Sequence, residues 1–61
     1  MPIVIIKMLK GRTVEVKRKL AKDVTGVVSD DLKVPADETT VVIEEYDREN
    51  WARSGTLYSD K

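Results

Sequence analysis

Met1-Pro2-Ile3-Val4-Ile5-Ile6-Lys7-Met8-Leu9-Lys10-Gly11-Arg12 opens the chain and sets how the rest must fold. Ile3 to Ile6 is an unbroken β-branched run, too short to compete well as a helix. It suits a strand buried on both faces, as in a parallel sheet. The strand is expected to run from Pro2 to Leu9. Lys10-Gly11-Arg12 reads as a turn, with Gly11 free to take a positive φ. If Met1 is removed, Pro2 carries a free secondary amine at the strand tip, a group able to act as a base or nucleophile. Arg12 keeps its charge at any working pH and presents a planar fork suited to a carboxylate.

The turn leads into a helix predicted from Val14 to about Leu32. Thr13 is the candidate N-cap, and Glu15 sits in the first turn, where the helix dipole favours an anion. The reciprocal capping box is absent because Val16 occupies its third position. Val16, Leu20, Val24, Val27, Val28 and Leu32 recur at spacings of three and four and form the expected apolar face. Lys17, Lys19, Lys22, Asp23 and Asp30 fall largely elsewhere and read as a solvated side. Gly26 weakens the helix by about 1 kcal/mol relative to alanine. A close approach of helix to sheet would explain its presence.

Val34-Pro35 ends the helical region, since proline disfavours the helical conformation of the residue before it. Pro35 to Glu38 is expected to be a short turn. Thr39 to Tyr46 is the second strand, centred on Val41, Val42 and Ile43. Asp47 to Asn50 is polar and turn-like, Trp51 to Tyr58 reads as a loop or short hairpin, and the last three residues are expected to fray. Strand, helix and strand in this order make an α/β fold, a single β-α-β unit whose strands run parallel. One helix covers only one face of such a sheet, yet both strands are apolar on both faces. Further copies of the chain are the simplest cover, so an obligate oligomer is expected.

Composition leads the same way. Sixty-one residues are expected to form one domain, 1–61, with a marginal core of its own. The chain has no cysteine and no histidine, which removes disulfides and the commonest metal ligands. Association is the remaining way to stabilise so small a fold. Eleven basic residues balance eleven acidic ones and are interspersed, which argues against a nucleic-acid partner. The apolar runs are too short to span a membrane, and Lys7 and Lys10 break the early run, so no signal peptide is expected. The default compartment is cytoplasmic.

Pro2 and Arg12 are the candidate catalytic residues. An α-amine has a reference pKa of about 8, and an apolar pocket and nearby cations lower it toward neutrality, where a general base is efficient. Proline also suits the first residue of a strand for purely structural reasons. An extended strand puts Pro2 and Arg12 roughly 25 Å apart at about 3.3 Å per residue. They meet only if the turn folds back or another subunit contributes. Trp51, the only tryptophan, reads as a core or interface residue or as a pocket wall. Glu44 and Glu45 point to opposite faces of their strand and do not form an acid–base pair.

Pro2 after the initiator methionine, Lys10-Gly11-Arg12-Thr13, the long amphipathic helix, Val41-Val42-Ile43-Glu44-Glu45 and Trp51 followed by Gly55 together resemble the 4-oxalocrotonate tautomerase family. The resemblance covers nearly the whole chain. It implies a βαβ fold with a short C-terminal hairpin, assembled as a homo-oligomer, a hexamer built from dimers. It implies loss of Met1 and a Pro2 amine that shuttles a proton in enol–keto isomerisation of a 2-oxo acid or 2-hydroxydienoate. Arg12 would bind a substrate carboxylate, and Trp51 would form an apolar pocket wall. No cofactor and no metal are implied.

The family's second arginine, on the second strand, corresponds here to Thr40, a candidate substrate-binding hydroxyl without charge. Losing a charged donor of that kind costs some 3 kcal/mol, on the order of a hundredfold in rate. Arg48 or Arg53 could substitute, but neither matches that position. Two other readings stay open. One is a non-catalytic or partner-dependent subunit of a mixed tautomerase-fold hexamer. The other is related dehalogenase or hydratase chemistry, disfavoured because no glutamate lies between Trp51 and Gly55.

Overall fold

The computed structural model describes all residues, 1–61. Strand β1 (Ile3–Leu9) is followed by helix α1 (Val14–Leu32), strand β2 (Thr40–Tyr46) and a small hairpin of β3 (Ala52–Arg53) and β4 (Thr56–Leu57). β1 and β2 pair in parallel, with Ile3 opposite Thr40, Ile5 opposite Val42 and Leu9 opposite Tyr46. The ladder continues at both ends: Thr40 N–H donates to the Pro2 carbonyl at 3.0 Å, and Lys10 N–H to the Tyr46 carbonyl at 2.9 Å. The β-α-β unit and its hairpin match the expected architecture, and element boundaries agree to within a residue.

Local chemistry explains where α1 starts and stops. Thr13 caps it, its hydroxyl oxygen accepting from Val16 N–H at 3.2 Å. Lys33 closes it in the left-handed region at φ 59°, and Val34 N–H reaches back to the Ser29 carbonyl at 3.2 Å. Short 3-10 turns fill Ala36–Glu38 and Arg48–Asn50, where polar turns are expected. The C-terminal residues, expected to fray, instead form a third such turn at Tyr58–Asp60. Lys61 Nζ lies 4.2 Å from the Tyr58 ring centre and helps to hold that end.

Alternation sorts the sheet. Val4, Ile6 and Met8 of β1 and Val41, Ile43 and Glu45 of β2 are half-buried on the helix side. The opposite face has no cover: Ile3 is 65% exposed, Ile5 55% and Val42 38%. On the helix the expected stripe splits. Leu20, Val24 and Val28 are half-buried together with Ala21, Thr25 and Ser29, whereas Val16, Val27 and Leu32 stay exposed. Val16 and Val27 lie along the edge of a stripe wider than two strands cover, and Leu32 is the last residue of the helix. Lys17, expected on the solvated side, is half-buried and pairs with Glu45 of β2 at 2.8 Å. Gly26 approaches nothing: a Cβ built there meets no atom within 4 Å. A close helix–sheet approach within the chain therefore does not explain Gly26.

No residue of the chain is fully buried. The radius of gyration is 14.5 Å, against about 10–11 Å for a compact chain of this length. The shape, 43 × 24 × 13 Å, is that of a slab with apolar surface on both sides.

Candidate active site

The candidate residues gather at two opposite ends of β1. At its start, Pro2 is half-buried and held through its carbonyl to Thr40. Thr40 lies opposite Ile3, exposed on the uncovered face. Met1 precedes Pro2 and is 87% exposed. While Met1 remains attached, the Pro2 nitrogen is an amide with no basicity, so only its removal creates the amine.

At the far end, Lys7, Leu9, Arg12, Trp51, Arg53 and Tyr58, with Met8, line an open groove of about 250 Å³. Gly11 makes the bend that directs Arg12 there. Its φ of +136° is costly for any residue with a Cβ. Trp51 enters after the Arg48–Asn50 turn, its ring tilted at 55° to Tyr46 with centroids 6.0 Å apart. Ser54 and Gly55, both at positive φ (53° and 79°), form the two-residue hairpin loop that folds β4 back on β3. Two residues apart on an extended segment, Trp51 and Arg53 share one face, and both line the groove.

The groove is cationic. Lys7, Arg12 and Arg53 line it and no acidic residue does. Lys7 has a distant counter-ion in Glu44, at 4.0 Å. The same Glu44 carboxylate accepts from the Tyr46 hydroxyl at 2.9 Å. That hydrogen bond, then burial and the Glu44 charge, push the Tyr46 phenol above its ordinary value. Neither Arg12 nor Arg53 has an ion pair or side-chain hydrogen bond. Glu45 points to the helix and Glu44 to the other face, as alternation requires. Nowhere do three acidic side chains converge as a cation cage would need.

Arg12 and Trp51 thus share one groove, Pro2 and Thr40 share the other end, and β1 separates them by about 20 Å. Of the two ways left open for Pro2 and Arg12 to meet, folding back of the turn does not occur. Gly11-Arg12 continues directly into α1. The sequence does not single out Lys7 or Tyr58, and it offers Arg53 only as a substitute for the arginine missing at Thr40. The one available signal was the Trp51/Arg53 spacing on a hairpin strand.

The family model for tautomerase enzymes matches residues 2–61. A probable tautomerase of Bacillus cereus is 44% identical over 61 residues, with 100% of both chains covered. The 2-hydroxymuconate tautomerase of Bacillus subtilis is 40% identical over 60 residues, covering 98% of this chain and 97% of its own. The crystal structure of a 4-oxalocrotonate tautomerase homologue superposes with a TM-score of 0.95 at 38% identity, covering 100% of this chain and 97% of that one. A chain of the heterohexameric 4-oxalocrotonate tautomerase from Chloroflexus aurantiacus superposes at 0.93 with 28% identity, covering 98% of this chain and 97% of that one. Likeness along the whole chain, in sequence and fold together, defines a tautomerase-type isomerase. The chain belongs to the 4-oxalocrotonate tautomerase family.

Proposed function

We propose that residues 1–61 act as a single domain that isomerises the enol form of a 2-oxo acid, such as a 2-hydroxydienoate, to its keto form without a cofactor. The observation that carries this reading is the unpaired Arg12 guanidinium in an aromatic-walled groove of a family member whose first strand is directly preceded by Pro2. After loss of Met1, the neutral Pro2 amine takes the proton of the enol hydroxyl. As an ammonium it returns that proton to carbon: the O–H bond breaks, a C–H bond forms, and C=C gives way to C=O. Arg12 holds a substrate carboxylate through paired N–H donors. Trp51 excludes water and so keeps the amine near neutrality. Thr40 donates its hydroxyl to the substrate's oxygen.

The two ends of β1 become one site when subunits associate and bring the Pro2 end of one chain to the Arg12 groove of another. The uncovered Ile3, Ile5 and Val42 face and the exposed Val16, Val27 and Leu32 side chains of the helix supply the apolar surface for that association. The assembly proposed is a homohexamer. The test is a spectrophotometric enol-to-keto assay on wild type and Pro2→Ala, after intact-mass confirmation that Met1 is gone. Activity in the wild type that collapses in Pro2→Ala supports the reading. Inactivity of processed, hexameric wild type on several enol acids overturns it. Two observations favour a second reading, a partner-dependent subunit of a mixed hexamer: Thr40 stands where the family's second arginine is expected, and the Chloroflexus relative is a heterohexamer.

A further inference from the structure

We propose that Arg53 is a specificity-determining residue, which joins Arg12 in a two-guanidinium clamp on a carboxylate distal to the reacting enol. The site would then select dicarboxylic over monocarboxylic enol acids. This rests on the function proposed above. It also bears on a deficit in that function: Thr40 supplies no charge where an arginine is expected.

Three observations carry the inference. First, Arg53 lines the same groove as Arg12 and Trp51. Second, in a chain of zero net charge the groove gathers Lys7, Arg12 and Arg53 and no carboxylate. Third, Lys7 is partly answered by Glu44 at 4.0 Å, whereas Arg12 and Arg53 have no protein counter-ion. Two unpaired guanidiniums facing one groove repel each other, and an anion between them relieves that repulsion. The hairpin holds Arg53 for this role. The Arg53–Thr56 pair stands directly before the Ser54-Gly55 turn, and Tyr58 N–H donates to the Trp51 carbonyl at 2.8 Å behind it. Arg53 is therefore presented from a paired backbone instead of a loose loop.

A charge-assisted hydrogen bond from such a guanidinium corresponds to about ten- to a hundredfold in affinity. The experiment compares wild type, Arg53→Gln and Arg53→Lys on 2-hydroxymuconate, which has two carboxylates, and 2-hydroxypenta-2,4-dienoate, which has one. Arg53→Gln is expected to raise KM for the dicarboxylate by about tenfold or more, with kcat changed little and the monocarboxylate unaffected. Arg53→Lys should recover part of the loss, and the difference should shrink at high salt. Calorimetric titration of unreactive cis,cis-muconate and sorbate into the same proteins reads the clamp without turnover. If the wild type fails to isomerise either substrate, the proposed function fails, and the calorimetry alone decides the role of Arg53. Tighter binding of muconate than sorbate that is lost in Arg53→Gln supports the clamp. Equal discrimination by Arg53→Gln and wild type, in kinetics or in binding, overturns it. Arg53 is exposed, so the variants should fold, and circular dichroism checks that they do.

Discussion

Replacing Ile5 with lysine puts an ammonium at the centre of the uncovered sheet face, flanked by Ile3 and facing Val42. The exposed shares of Ile3, Ile5 and Val42 (65%, 55% and 38%) amount to about one and a half side chains. At 1.5–3 kcal/mol for each fully buried aliphatic side chain, covering this face is worth about 2–5 kcal/mol per subunit. A lysine there forfeits its share and adds the cost of taking an unpaired charge out of water. The isolated chain has no fully buried residue to fall back on, so losing the interface also removes most of the fold's stability. Ile5→Lys is expected to run as a smaller species in size-exclusion chromatography with light scattering. Its midpoint in circular-dichroism melting should fall by at least about 10 °C. Enol–keto activity should be lost with the assembly, because Pro2 and Arg12 lie at opposite ends of one chain. The wild-type melting temperature should rise with protein concentration. A wild type that is a folded monomer with a concentration-independent midpoint would refute the reasoning, as would an Ile5→Lys variant that keeps its assembly and stability.

Trp51→Ala should raise the kinetic pKa of the Pro2 amine, because water admitted to the assembled pocket favours the ammonium; an unshifted pH–rate profile would make Trp51 purely structural. Gly26→Ala should stabilise the protein by about 0.5–1 kcal/mol, since its Cβ meets nothing in the chain. A lower melting temperature would instead locate a close subunit contact at Gly26. Tyr46 should ionise above its ordinary value of 10, and ultraviolet titration should lose that late phase in Tyr46→Phe. The folded-state value is raised, so the contribution of the Tyr46–Glu44 bond is full below pH 10 and disappears as pH climbs through the raised value. A late phase that survives unchanged in Tyr46→Phe would refute it.

What could be read directly from the residues was whatever depends on near neighbours along the chain. The β-branched run at Ile3–Ile6, the Gly11 bend, the Thr13 cap and the Val34-Pro35 stop each act within a few residues. Strand alternation likewise separated Glu44 from Glu45 without any tertiary information. Pro2, Arg12 and Trp51 stood out by residue type and position. Other features depend on distant segments meeting. Helical periodicity put Val16, Leu20 and Val27 on one stripe but could not tell which edge of it the sheet would cover. Lys17 looked like any solvated lysine until β2 brought Glu45 within 2.8 Å. Arg53 could stand in for the missing second arginine but matched no site position until the Ser54-Gly55 turn held it, two residues from Trp51, at the Arg12 groove. The sequence alone determined the elements and the residues able to do chemistry, because local sterics and hydrogen bonding act over short range. Only the tertiary structure decided that the turn does not fold back, and that Thr40 joins the Pro2 end while Trp51 and Arg53 join Arg12, because that follows from the direction in which α1 leaves β1 and the parallel register of β2.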